Sequence, residues 1–300
     1  MTNAIPVLEA VQQFLSFCSA RNDSQNTLRA YNTDLLGFVR CIGHETPVTQ
    51  ITRKRIREYL FSLDVGLRDS TVKRKIAAIR SFCNWLVNER YLDMSPAEGM
   101  NGPRMGHKLP EIPSEADMKK LLSGPMPSPF PERDRLILEL LYGCGLRASE
   151  VAGINVGDIQ GTDTLLVHGK GKKDRLVPMG RRAQLALREW LRASLIESSG
   201  VETDALFFSI GTRESEERLD VRTIHRIVST IANAKGLPPF HPHQLRHACA
   251  THMHDHGAPL QAVATMLGHA RLSTTQIYTR VSTGRMLDIY RKAHPHAGSA

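Results

Sequence analysis

The chain's 300 residues, 41% of them hydrophobic, suit about two domains, each able to bury its own core, and exclude a disordered polymer. The net charge is +9, and its distribution along the chain is more informative than its total. No run of eighteen uncharged apolar residues occurs and the opening MTNAIPVLEAVQQF carries Glu9 without a basic stretch, so neither a membrane span nor a secretory leader is expected; five scattered cysteines without a CxxC pair read as reduced thiols of a cytoplasmic protein.

Residues 1–98 are expected to form an all-helical domain. In STVKRKIAAIRSFCNWLVNER, Val72, Ile76, Ile79, Phe82 and Leu86 recur at steps of four, three, three and four, which is one face of an α-helix. Lys73, Arg74, Lys75 and Arg80 fall mostly off that stripe. Residues 51–90 hold ten Lys or Arg against four Asp or Glu, which concentrates +6 of the net charge in this segment. The four cations are therefore assigned to the phosphates of a polyanion, the plain alternative being a solvated helix face. The stretch SPAEGMNGPRMGHKLPEIP, with four Pro and three Gly, cannot hold a regular element, and residues 99–113 are read as a linker.

Residues 114–300 form the second domain, mixed α/β, which makes the chain mainly α with a small β-sheet. Ser114 and Asp117 make a capping-box-like start. ERDRLILELLYGCG reads as a buried helix stopped by Gly143 and Gly145, and in YGCGLRASEVAGI Arg147 stands just before the next helix start. TDTLLVHGKGKKDRLVPM reads as two short strands with Lys170 at the turn between them. In HPHQLRHACATHM, Pro242 suits a first helical turn, while His243 and Arg246, three apart, share a face able to hydrogen-bond one phosphate; Leu245, Ala248 and Cys249 fall on the side to be buried. APLQAVATMLG is a helix ending at Gly268 with His269 just beyond it. Ser273 and Gln276 then cap a short helix that carries Tyr278 in its second turn, about 100° round from its apolar neighbour Ile277.

The histidines from His225 onward invite a metal reading, but no HExxH or finger spacing is present and Arg246 would repel a cation among them. The Gly-Lys-Gly turn fails the phosphate-loop pattern, since GxxxxGK[ST] is absent. GLRASE, GKGKKDR, HPHQLRH and LGHARLSTTQIYT, in this order over residues 145–279, resemble the signature boxes of the tyrosine recombinase (phage integrase) family, specifically its Xer (XerC/XerD-like) branch. The resemblance implies an N-terminal SAM-like core-binding domain followed by a tyrosine-recombinase catalytic domain with a C-terminal tail helix that docks on a neighbouring subunit. It makes Arg147 and Arg246 the catalytic arginines, Lys170 the hairpin lysine, His243 and His269 the active-site histidines, and Tyr278 the nucleophile. No metal or cofactor is called for.

The residue types suit that chemistry. A tyrosine hydroxyl, with a free pKa of about 10, needs a base or a positive field to attack phosphorus; fixed guanidiniums stabilise the charge gathering on the phosphate oxygens; a lysine can protonate the departing 5′ oxygen. The resemblance further implies a double-stranded recombination site as partner, a homo- or hetero-tetramer with another Xer-type recombinase, and resolution of chromosome dimers. It leaves open the site sequence, whether a second recombinase takes part, and whether a translocase such as FtsK activates cleavage. A mobile-element integrase, a type IB topoisomerase-like enzyme and a non-catalytic architectural DNA-binding module are the alternatives.

Overall fold

A computed structural model of the chain describes residues 5–63, 67–102, 112–169, 174–197, 203–209, 217–268 and 283–296. These divide between two compact units, Met1–Lys108 and Leu109–Ala300.

The first unit is helical throughout its described residues: α1 (Val7–Ala20), α2 (Gln25–Ile42), a 3-10 turn at Val48–Gln50, α3 (Arg53–Ser62) and α4 (Asp69–Asn88). Each apolar stripe points inward. On α1, Val7, Ala10, Val11, Phe14 and Cys18 are buried at helical spacing. On α4, Ile76, Ile79, Phe82 and Leu86 are buried and Val72 packs at the edge, as the spacing predicts; Ala78, Cys83 and Trp85 widen the buried face. Phe14, Phe82 and Trp85 meet with ring centroids 5.7–6.2 Å apart. Ser24 and Thr52 start α2 and α3 by accepting the backbone N–H three residues on, at 3.1 and 3.3 Å.

The four cations expected to line phosphates on α4 have unequal surroundings. Asp34 of α2 is fully buried, and a buried carboxylate requires charged partners. Arg74 pairs with it, and Lys75 Nζ lies 3.4 Å from its second oxygen and 3.3 Å from the Tyr59 hydroxyl. Arg80 donates to the Met100 carbonyl. Lys73 forms no ion pair among the described residues and lays its stem beside Gly102. Part of the basic run thus holds the helices of its own unit together.

The second unit contains α5 (Glu115–Leu122), α6 (Pro131–Tyr142), α7 (Ala148–Gly153), strands β1 (Ile159–Gln160), β2 (Thr164–Val167) and β3 (Arg175–Pro178), and helices α8 (Arg181–Glu197), α9 (Val221–Ala234), α10 (Pro242–Asp255), α11 (Leu260–Leu267) and α12 (Thr283–Ala293). Ser114 and Asp117 form a reciprocal capping box on α5. Leu136, Ile137, Leu138, Leu140 and Leu141 are all buried on α6, the mark of a helix enclosed on every side. It packs against α8 and α10. The strands form an antiparallel meander, β1-β2-β3, with Leu165 opposite Val177 and Val167 opposite Arg175. Two residues long, β1 is below what alternation can signal in a sequence. The tail helix α12 packs in this chain on its own unit, against α10, α11 and β3.

Candidate active site

Turns of the second unit bring Arg147, His243 and Arg246 together. The first is Gly143–Cys144–Gly145, where α6 stops. Gly145 has φ +64°, and a Cβ there would sit 2.5 Å from Leu267 Cδ2 and 3.1 Å from Cys249 Sγ. Only glycine fits both the conformation and the space. The close approach delivers Arg147 to the start of α7, beside α10 and the end of α11.

Arg147 occupies the N-cap of α7, and Glu150 at the third helical position accepts its backbone N–H at 2.9 Å. The same carboxylate takes Arg147 Nη1 at 2.7 Å and both Nη atoms of Arg175 at 3.0 and 2.9 Å, with Arg246 Nη1 at 3.7 Å. Burial by itself would raise the Glu150 carboxyl; the Arg175 hydrogen bonds, the Arg147 backbone bond and the guanidinium charges outweigh it and hold the pKa below its ordinary value. Three guanidiniums therefore surround one ionised carboxylate. The site carries excess positive charge, as an anion subsite requires.

Arg246 rises from α10 into the interior and is only 3% exposed. Its Nη1 donates to the Gly145 carbonyl and its Nη2 to the Leu267 carbonyl, each at 2.6 Å, which locks the guanidinium plane. Burial, then the nearby Arg147, lowers its pKa to about 10, so it remains charged at neutral pH. His243, one turn earlier, is exposed. Partial desolvation of its ring, then the charges of His247, Arg246 and Arg147, lower its pKa, which favours the neutral, proton-accepting form. The α10 start is as its sequence suggests, with Pro242 in the first turn and His241 N–H donating to Gln244 at 3.1 Å.

Arg147, His243 and Arg246 thus come together. Lys170, His269 and Tyr278 lie outside the described residues, as does the Ser273–Gln276 cap. Their chain neighbours are placed. His168 at the end of β2 is bridged to Asp158 at 2.9 Å and to Asp174 at 3.1 Å, an arrangement that uses both ring N–H groups and raises its pKa, through the Asp158 hydrogen bond first. Gly268 closes α11 in the left-handed region at φ +68°.

Residues 114–285 match the model of the phage integrase family, and residues 11–90 match that of the phage integrase N-terminal SAM-like domain. The chain belongs to the phage integrase family. Within this family of tyrosine recombinases its likeness is to the Xer branch: it is 38% identical over 304 residues to the tyrosine recombinase XerC of Pelobacter propionicus, covering 97% of each chain. It is 36% identical to the tyrosine recombinase XerD of Oceanobacillus iheyensis, covering 96% of this chain and 99% of that one. The fold matches that of the XerH site-specific recombinase, solved bound to a palindromic difH substrate in a post-cleavage complex, with a TM-score of 0.67 at 24% identity over 94% of this chain and 84% of the other.

Two members of this arginine cluster carry no role in the sequence reading, although both stand inside the quoted boxes: Glu150 ends GLRASE and Arg175 ends GKGKKDR. The capping-box position of Glu150 was a legible signal. That of Arg175 was not, because its partners Glu150 and Met266 are 25 and 91 residues away. Among the described residues no group of three or more His, Cys, Asp or Glu is arranged to hold a metal ion. Two histidines of the HMHDH run serve the structure: His252 Nδ1 meets the Tyr142 hydroxyl at 3.1 Å, and His254 Nδ1 lies 3.3 Å from the Ala258 carbonyl.

Proposed function

We propose that the chain is a site-specific DNA recombinase that cuts and rejoins duplex DNA through a 3′-phosphotyrosine at Tyr278, and that its cellular task is the resolution of chromosome dimers. The observation that carries this reading is the arginine site itself. Arg246 is immobilised by two carbonyls, Arg147 is 44% exposed beside it, and the exposed His243, one turn before Arg246 on α10, has its pKa lowered by partial desolvation and then by His247, Arg246 and Arg147. Such a site can receive a phosphodiester without reorganising its donors.

In this mechanism the Tyr278 hydroxyl oxygen attacks phosphorus, and the new P–O bond to tyrosine forms as the bond to O5′ breaks. His243 accepts the phenolic proton. Arg147 and Arg246, joined by His269, stabilise the non-bridging oxygens, and Lys170 protonates the departing 5′ oxygen. The phosphotyrosine keeps the energy of the phosphodiester, so attack by a 5′ hydroxyl from a partner strand reverses the step without ATP. The residues from 1 to 98 serve as the core-binding domain, with Lys73, Arg74, Lys75 and Arg80 on the DNA side, and residues 114–300 as the catalytic domain. The working form is a tetramer on two DNA sites, made of this chain alone or with a second Xer-type recombinase, in the cytoplasm, and open to activation by a DNA translocase such as FtsK. In support, the named relatives are tyrosine recombinases and no helix among the described residues is long and apolar enough to cross a membrane.

The test is covalent capture. Wild-type protein incubated with nicked candidate sites from its own genome should give a protein–DNA band on a denaturing gel, with a free 5′ hydroxyl on the released strand. Tyr278→Phe should give none while binding the site within a few-fold of wild type. Capture by the Phe variant, or loss of binding equal to loss of capture, would remove Tyr278 from the chemistry. Supercoil relaxation by isolated monomers would favour the topoisomerase alternative.

A further inference from the structure

We infer that Arg175 is a positioning residue for strand cleavage, which takes up the charge of Glu150 so that Arg147 and Arg246 stay available to the phosphate, and which ties the base of the β2–β3 hairpin to the end of α11. The inference rests on the recombinase reading above and adds to it a residue outside the six assigned there.

Arg175 opens β3 and its side chain is 13% exposed. Its two Nη atoms grip the two oxygens of Glu150 at 3.0 and 2.9 Å, and its Nε donates to the Met266 carbonyl at 2.9 Å. That is a complete use of a planar fork: two bonds to one carboxylate and a third from the side of the plane. Gly268 makes room for it. A Cβ at Gly268 would lie 3.1 Å from Cδ, Nε and Cζ of Arg175, so the absent side chain lets the guanidinium stem lie against the end of α11. One side chain therefore touches three segments: α7, which Arg147 caps; the hairpin whose strands flank Lys170 in sequence; and the end of α11, two residues before His269.

The charge argument is independent of the mechanical one. The Glu150 side chain is 7% exposed and ionised. Its other cationic partners are Arg147 at 2.7 Å and Arg246 at 3.7 Å, the two side chains assigned to the phosphate. With Arg175 present the carboxylate has a dedicated bidentate partner. Without it, a buried negative charge would compete with the phosphate for Arg147 and Arg246, and would repel the phosphate as well. A residue that only props the fold makes no such prediction, because a second loss in the same place would then add to the damage.

The test compares Arg175→Gln, Arg175→Lys and the double variant Arg175→Gln with Glu150→Gln, in the full chain on a nicked site that wild type captures. The readouts are the single-turnover capture rate at saturating protein, site affinity and thermal melting. Arg175→Gln should lower the capture rate about a hundredfold, as small displacements of catalytic groups do, with affinity held within a few-fold. The double variant should regain about tenfold over Arg175→Gln, the equivalent of restoring one charge-assisted hydrogen bond. The amide introduced by Glu150→Gln still accepts the Arg147 N–H as a capping residue, while the uncompensated charge is gone. Arg175→Lys should fall about tenfold, since an ammonium keeps the charge and loses the fork. Capture by Arg175→Gln within a few-fold of wild type would overturn the inference. So would a folded double variant no faster than the single one. Should Arg175→Gln not fold, a lysine variant as fast as wild type overturns it and a slow one with normal affinity supports it. Failure of wild type itself to form a Tyr278 adduct would count against the recombinase reading instead.

Discussion

At the scale of single residues, the two arginines assigned to the phosphate differ in a way that their sequence boxes do not show. Arg147 is 44% exposed, whereas the Arg246 side chain is buried and holds the Gly145 and Leu267 carbonyls. Replacing either by Lys should cut covalent capture by about a hundredfold, since one aimed donor in such a site contributes that much. Their effects on stability should separate. Arg147→Ala should leave the melting temperature nearly unchanged. Arg246→Ala leaves two buried carbonyls without their donor and should destabilise the chain by about 2–6 kcal/mol, on the basis of ~1–3 kcal/mol for each unsatisfied buried group. Denaturant titration of the two variants checks this; equal stability would mean that water or another donor reaches those carbonyls.

At the scale of elements, the docking of α12 depends on a neutral histidine. His294, just past the helix, is buried, with Nε2 3.3 Å from the Tyr142 carbonyl and its ring against those of Tyr142 and Tyr290, both at 5.0 Å. His296 and His252 adjoin the same tyrosine, and Glu139 lies 3.9 Å from His296. Burial first, then the neighbouring His296, pushes the His294 pKa down to about 3. The unfolded chain titrates near the ordinary histidine value of about 6.5. Its folded pKa being the lower, His294 contributes stability that is fully present above pH ~6.5 and is lost as the pH falls from there towards the folded value. Amide hydrogen exchange across Thr283–Ala293 should therefore quicken between pH 7 and pH 5, once corrected for intrinsic rates. His294→Phe, which keeps a ring and removes the titration, should flatten that response; an unchanged response would place the acid sensitivity in another group.

At the scale of the whole molecule, part of the basic run serves folding. Lys75 and Arg74 hold the buried Asp34, so Lys75→Ala should act first on the stability of the N-terminal unit, through a buried carboxylate deprived of a partner. Lys73, without an ion pair among the described residues, is the cleaner probe of the DNA path. Lys73→Ala should flatten the slope of log affinity against log salt by about 0.9, the value for a single phosphate no longer neutralised, equally on specific and random DNA. A parental slope in the folded variant would make Lys73 a solvated residue.

Sequence alone determined much of this protein. Apolar periodicity placed the buried face of α4, because a helix repeats every 3.6 residues whatever it packs against, and the apolar run of α6 marked it as a buried helix. Caps and glycines were equally local: Ser114 with Asp117, Arg147 before α7, and Gly268 after α11 each depend on neighbours within a turn. The ordered boxes indicated the family, which the match over residues 114–285 shows. The tertiary structure decided what crosses long stretches of chain. It made Asp34 the partner of Arg74 and Lys75, which as i and i+1 on a helix reveal no shared partner in sequence. It buried Arg246 against carbonyls 101 and 21 residues away, and it gathered Arg175, Glu150 and Met266 into one cluster. Those pairings follow from how the elements pack within each unit: α2 on α4 in the first, and helices and a hairpin around α6 in the second. Periodicity specifies which face of an element turns inward, and only the packed fold specifies which charge on another element it meets there.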